Sequence, residues 1–303
     1  MSGVLAGFVP IWVLTAVGFA AARSDVLGDR AETVLGRFSI YLAMPALLFT
    51  TLLGTDPARL AHRGLLAFVI GTAVTATIGM LVEWRVFRRP LPDRVFGAMA
   101  GSYVNSGNLG IPVAVGVLGD SSFIVAVLLF QPLVMVPLVL AAVEVGSGER
   151  GALRTLVLLP VRNPIVLASL LGVVLAALGW RPPELMLKPL EALGAAAVPT
   201  ALVVLGLSLN VAPRRENLAE AGVVVALKTL LHPLVTFLAC LALDVQGPLR
   251  LAAVVCSALP TAQNVYVLAR QYRPDAALTR DSVLLSTALS MVTLSAVVLL
   301  LSR

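Results

Sequence analysis

Apolar residues run in blocks along this chain, each roughly 20 residues long or longer, and polar residues gather in the short gaps between them. A helix of that length crosses about 30 Å of hydrocarbon, the thickness of a bilayer core. The pattern predicts ten helical spans, at residues 3–22, 31–53, 64–84, 94–118, 121–143, 160–180, 185–211, 217–243, 248–270 and 280–301. The gaps are too short for any sizeable domain outside the membrane. Ala20-Ala21-Ala22 looks like a leader cleavage site, but no basic segment precedes the first block and Arg23 follows it, so a retained helix is expected.

Two blocks are interrupted. Asn105-Ser106-Gly107-Asn108-Leu109-Gly110-Ile111-Pro112 lies inside the fourth span, and Pro260 lies inside the ninth. Relative to alanine, the two glycines, proline and two asparagines of the first run cost a continuous helix roughly 6 kcal/mol in propensity. Non-helical backbone at membrane depth survives only inside protein or beside a water-filled cavity. A break on the 107–112 run and another around Pro260 are therefore expected, with Pro112 freeing the carbonyl of Asn108 and Pro260 that of Cys256. The half-helices beyond them begin with unsatisfied, partly positive amides that suit a carboxylate. Asn105, Ser106, Asn108, Ser257, Thr261, Gln263 and Asn264 add uncharged donors and acceptors, and Gly107, Gly110, Pro112 and Pro260 shape the backbone.

The halves also resemble one another. Met44-Pro45 in the second span pairs with Val198-Pro199 in the seventh, and the fourth-span break with that of the ninth. This gives two five-span repeats, residues 1–145 and 155–303, joined by the charged stretch 144–159. Five is odd, so the second copy enters from the opposite side, the inverted-repeat plan of many secondary transporters, whose substrate sites lie at paired broken helices.

Composition narrows the class further. With 59% hydrophobic and 13% charged residues and a mean hydropathy of +0.97, an ordinary soluble domain is excluded. A net charge of +6 would suit nucleic acid, yet the basic residues cluster at span ends, as in the loop holding Arg85, Arg88, Arg89 and Arg94. Loops on that side, which also carry Arg23, Arg30, Arg150, Arg154, Arg162, Arg214, Arg215, Arg270, Arg273 and Arg280, are richer than those with Arg59, Arg63, Arg181, Lys188, Arg250 and Arg303. The positive-inside rule then puts both termini outside. Cys240 and Cys256 lie within spans without metal-ligand spacing and read as inert thiols.

The 105–112 run is similar to the Asn-x-Gly-Asn-x-Gly-x-Pro signature of the auxin efflux carrier family. Leu259-Pro260-Thr261-Ala262-Gln263-Asn264-Val265-Tyr266, Leu42-Ala43-Met44-Pro45-Ala46-Leu47 and Asn163-Pro164 also fit that family's pattern. The resemblance covers essentially the whole chain. It implies a bile-acid-symporter-like fold of ten helices, with spans 1, 2, 6 and 7 as scaffold and spans 3–5 and 8–10 as moving transport domain. It further implies elevator-type alternating access, with an organic acid bound where spans 4 and 9 cross. The long central loop of many plant members is reduced here to about 15 residues, so regulation through it does not transfer.

Ionisable groups deep in a membrane are functional candidates. Lys228 and His232 share one face of the eighth span; Lys228 is a candidate for substrate attraction or gating, against snorkelling to the surface. Gln131 in the fifth span is expected to hydrogen-bond in the interior or touch substrate, and Ser286, Ser290 and Thr293 form a small hydroxyl stripe suited to helix packing. No aspartate or glutamate falls mid-span, which disfavours carboxylate proton relays and leaves sodium coupling open, since carbonyls and amides suffice for sodium. No cofactor is expected. The expected partners are a small organic anion and the bilayer, with a homodimer left open and no nucleic acid. An intramembrane enzyme lacks a Gly-x-Ser-x-Gly elbow or clustered metal ligands, and a channel or receptor lacks charged rings or a soluble output domain. The sequence thus reads as an all-α secondary transporter exporting a small carboxylate, with a sodium-coupled symporter as the alternative.

Overall fold

Prolines set the local irregularity of these helices. A proline removes one backbone donor and clashes with the carbonyl one turn back, and a turn widened to i→i+5 relieves that clash. Widened turns at Ser39–Ala43, Ser106–Gly110, Gln131–Met135 and Leu227–Leu231 each end two residues before a proline, namely Pro45, Pro112, Pro137 and Pro233.

The computed structural model describes residues 2–28, 30–54, 62–147, 164–210, 218–272 and 276–301. The joint from 148 to 159, Asn163, and Arg59, Arg150, Arg154, Arg162, Arg214, Arg215 and Arg273 lie outside these ranges. The helices are α1 (Ser2–Ser24), α2 (Ala31–Leu53), α3 (Arg63–Arg85), α4 (Leu91–Ser102), α5 (Ser106–Leu118) and α6 (Ser122–Val143). They continue as α7 (Pro164–Ala177), α8 (Glu184–Ser208), α9 (Leu218–Ala242), α10 (Gly247–Ala258), α11 (Gln263–Tyr272) and α12 (Ala277–Leu301). The chain is an all-helical membrane protein. Five helices, α2, α3, α6, α8 and α9, are long and apolar enough to cross a bilayer, and α12, bent by 48° between Ser290 and Val292, makes a sixth when taken as one span.

Two groups of helices pack closely among themselves, with α5 touching both. In one, α1 lies along Ala197–Ser208 of α8, while α7 and Glu184–Ala195 pack on the Met44–Leu53 half of α2. In the other, α3 packs on α4, α9 and α10, and α12 packs on α10 and the start of α9. The α1–α8 contact is close because it is made by glycine: a Cβ on Gly206 would lie 2.0 Å from the Thr15 carbonyl oxygen, and one on Gly18 2.1 Å from that of Val203. Where lipid replaces water the hydrophobic effect does not drive helices together, and small residues gain contact by letting backbones approach. Between the groups, a continuous core includes Leu48, Phe68, Leu109, Ile111, Ile124 and Leu202.

The second break falls around Pro260 as expected, at 259–262, and the first falls earlier than the 107–112 run. Helix α4 stops at Ser102, residues 103–105 are non-helical, and α5 begins at Ser106. Gly107, Asn108, Gly110 and Pro112 therefore build the first turns of α5 instead of the gap. Asn105 explains the shift: its side chain accepts the Asn108 amide and starts the new helix.

Candidate functional site

The two gaps meet. Val104 and Thr261 form an antiparallel bridge, with Asn105 N donating to the Pro260 carbonyl at 2.8 Å and Ala262 N to that of Tyr103 at 3.4 Å. The Thr261 hydroxyl donates to the Ala100 carbonyl at 2.6 Å, and its amide donates to Ser286 Oγ of α12 at 3.1 Å. Gln131 of α6 ties in from the side, accepting from the Ser106 hydroxyl at 2.6 Å and donating to the Val104 carbonyl at 2.9 Å. Backbone polar groups freed inside a membrane protein must find such partners.

Beyond the crossing, α5 and α11 start at the wall of a cavity of about 490 Å³, within the usual size range of small-molecule sites. Its polar lining is Asn105, Ser106, Asn108, Gln263 and Asn264, together with the backbone of Gly107. Tyr41 of α2 and Pro164 and Ile165 of α7 supply the opposite wall, so the cavity lies between the two helix groups. Asn108 Nδ2 donates to Gln263 Oε1 at 3.4 Å and links the starts of α5 and α11. Asn105 is almost fully buried; its Oδ1 accepts the Asn108 amide at 3.1 Å, and its Nδ2 has no hydrogen-bond partner among the described residues. A buried donor left this way costs about 1–3 kcal/mol, which a ligand oxygen would offset. Helix starts and amide side chains together offer donors and partial positive charge, with no charged side chain among the described residues that line the cavity.

The remaining candidates sit elsewhere. Gly110, Pro112, Pro260, Thr261, Gln131 and Ser257 do not line the cavity. A Cβ on Gly110 would lie 2.6 Å from Ile124 Cδ1, so its smallness serves packing. Pro260 was expected to strand the Cys256 carbonyl, but Leu259 N reaches it at 3.3 Å in a tightened last turn. The Ser257 carbonyl is served instead by Lys228 Nζ at 2.6 Å. Lys228 does not snorkel: it is fully buried, away from the cavity, and also lies 3.1 Å from His232 Nδ1. His232 Nε2 is in turn 3.1 Å from Thr72 Oγ1 of α3.

Sequence reasoning missed buried acids at the span ends. Glu83, Glu220 and Asp281 are buried; Arg89 grips Glu220 through Nε–Oε1 at 2.9 Å and Nη2–Oε2 at 2.5 Å, and Arg280 Nη2 donates to Asp281 Oδ1 at 2.8 Å. The pairing with Glu220 raises the Arg89 pKa above its ordinary value. Tyr41 and Tyr103 on the cavity wall were missed too, since nothing in their local sequence separates them from lipid-facing aromatics.

A Cβ on Gly107 would meet nothing within 4 Å, and alanine is favoured over glycine in a helix by about 1 kcal/mol. Gly107→Ala is therefore expected to melt no lower than the native protein while binding the bulkier members of a carboxylate series more weakly. Thermal-shift titration across such a series checks it.

Residues 4–146 and 149–298 match a family model described as "Membrane transport protein". The chain belongs to this family, that of the auxin efflux carriers. It is a transporter and not an enzyme. Among relatives of this membrane transport protein, a protein of Rhizobium meliloti (strain 1021) named "Putative malonate transporter" is 28% identical over 97% of this chain and 94% of its own length. An "Uncharacterized transporter" of Methanothermobacter thermautotrophicus is 30% identical over 94% of each chain. A second "Uncharacterized transporter", from Methanocaldococcus jannaschii, is 23% identical over 94% of each.

Proposed function

We propose that this membrane transport protein moves a small carboxylate outward across the cytoplasmic membrane, binding it at the wall formed by Asn105, Ser106, Gly107, Asn108, Gln263 and Asn264. One observation carries the reading: two half-helices begin at a single cavity whose polar lining, among the described residues, is uncharged and rich in donors. Half-helix starts aimed at an anionic group are the recurrent carboxylate site of secondary transporters. The relative named for malonate supports a mono- or dicarboxylate as the cargo class.

Two further elements belong to the reading. Residues 1–145 and 155–303 are inverted five-span repeats, which the breaks at 103–105 and 259–262, in the fourth and ninth spans, support; both termini face outward, which the basic residues at the span ends support. Helices α1, α2, α7 and α8 act as scaffold while α3–α6 and α9–α12 slide as the transport domain. The two packing groups support that division, and so does a cavity walled by both.

Export needs no coupling ion. A monovalent anion leaving a cell polarised by about 100 mV, negative inside, gains roughly 2.3 kcal/mol, enough for an outward gradient near fifty-fold. In proteoliposomes, counterflow of labelled malonate or a monocarboxylate should saturate, and net flux of a monovalent anion should rise with an imposed potassium diffusion potential. Strict dependence on a proton or sodium gradient would reject uniport. Absence of flux for every mono- and dicarboxylate tried would reject the cargo class.

A further inference from the structure

Half-helix C-terminal ends carry partial negative charge, and in broken-helix transporters such ends and their unwound carbonyls hold the coupling cation. Two ends of this kind meet at the crossing. That of α4 is satisfied by neutral groups: the Ala98, Met99, Ala100 and Tyr103 carbonyls accept from the Ser102 hydroxyl, the Tyr103 amide, the Thr261 hydroxyl and the Ala262 amide. The end of α10 differs. Its Val254 and Cys256 carbonyls accept from the Ser257 hydroxyl and Leu259 amide, while the Ser257 carbonyl takes Lys228 Nζ at 2.6 Å.

The setting of Lys228 suits this contact. The side chain reaches out of the widened turn Leu227–Leu231, is wholly buried, and has His232 Nδ1 as its second acceptor at 3.1 Å. Donation to Nδ1 puts the ring proton on Nε2, where it bonds Thr72 of α3. Phe68 lies against the His232 ring with centroids 5.5 Å apart and closes that side. One amine thereby connects α9 with α10, and through His232 with α3.

We infer that Lys228 is a positioning residue that occupies the negative end of α10 in place of a soluble cation, holding the crossing in register and making transport independent of sodium. Its effect on flux rests on the carboxylate reading above; its effect on cation binding does not. Removing the side chain leaves the Ser257 carbonyl and His232 Nδ1 without the donor they share.

The test uses purified full-length protein with choline chloride replacing sodium chloride at constant ionic strength. Native protein should melt at the same temperature in both salts and exchange malonate equally well. Lys228→Ala should lose at least tenfold of its exchange rate in choline, with kcat falling more than KM rises, and should gain sodium-dependent thermal stabilisation that the native protein lacks. Lys228→Arg should restore at least half of the flux. If the alanine variant does not fold, Lys228→Met, of similar length and uncharged, should show the same loss of flux at a near-native melting temperature. Native-like exchange by Lys228→Met, or a sodium requirement in the native protein, overturns the inference. Loss of exchange by native protein in both salts overturns the cargo reading, and the melting comparison still decides the role of Lys228.

Discussion

Asn108→Ala is expected to lower carboxylate exchange by about tenfold to a hundredfold while the protein stays folded and inserted. The side chain lines the cavity and makes one long hydrogen bond, 3.4 Å to Gln263, so truncation removes little that holds the fold. A hydrogen bond to a charged ligand group contributes about 1.5–3 kcal/mol, and each 1.4 kcal/mol is roughly tenfold in affinity. Asn105→Ala should remove transport as fully, with an added structural cost. Its side chain starts α5 by accepting the Asn108 amide at 3.1 Å, and loss of such a cap costs about 1 kcal/mol. The Asn105 backbone amide still reaches the Pro260 carbonyl, so the crossing itself should persist. Exchange by the two variants, beside their melting temperatures, separates the outcomes: native flux in both would remove the site.

Gly206→Ala should produce the largest loss of stability. The added methyl would lie 2.0 Å from the Thr15 carbonyl oxygen and 2.7 Å from the Phe19 nitrogen, both backbone atoms of α1. No rotamer change can relieve a clash with main chain, so α1 and α8 must separate. Overpacking a tight contact costs about 1–3 kcal/mol and occasionally more, and here the same displacement breaks the Gly18 contact with Val203. Gly222→Ala, where a Cβ meets nothing within 4 Å, should melt no lower than the native protein. Equal melting of the two variants would show that α1–α8 proximity does not hold this helix group.

Much of the molecule was legible along the chain. Predicted spans at 31–53, 64–84 and 217–243 lie within two residues of Ala31–Leu53, Arg63–Arg85 and Leu218–Ala242, because an apolar block of membrane length has one low-energy state in lipid, the hydrogen-bonded helix. The existence of two breaks followed from Pro112, Pro260 and their neighbours. The place of the first did not, because Asn105 moves the helix start to Ser106 by capping it, and a cap depends on which side chain reaches which amide. The neighbour of Gly110 was not legible for a related reason: it faces Ile124, a residue on a different helix.

What the sequence determined by itself is the class, the helical blocks and the two weak points in them, since these follow from local backbone chemistry in a solvent without water. Tertiary structure alone decided that Val104 meets Thr261, that Gln131 anchors Ser106, that Tyr41 and Asn108 line one cavity, and that Lys228 spends its donors on the end of α10 instead of on lipid headgroups. Each of these joins residues from different spans. In a bilayer such pairings are selected by close packing and by the need to satisfy every buried polar group, and neither is encoded in the order of residues along one helix.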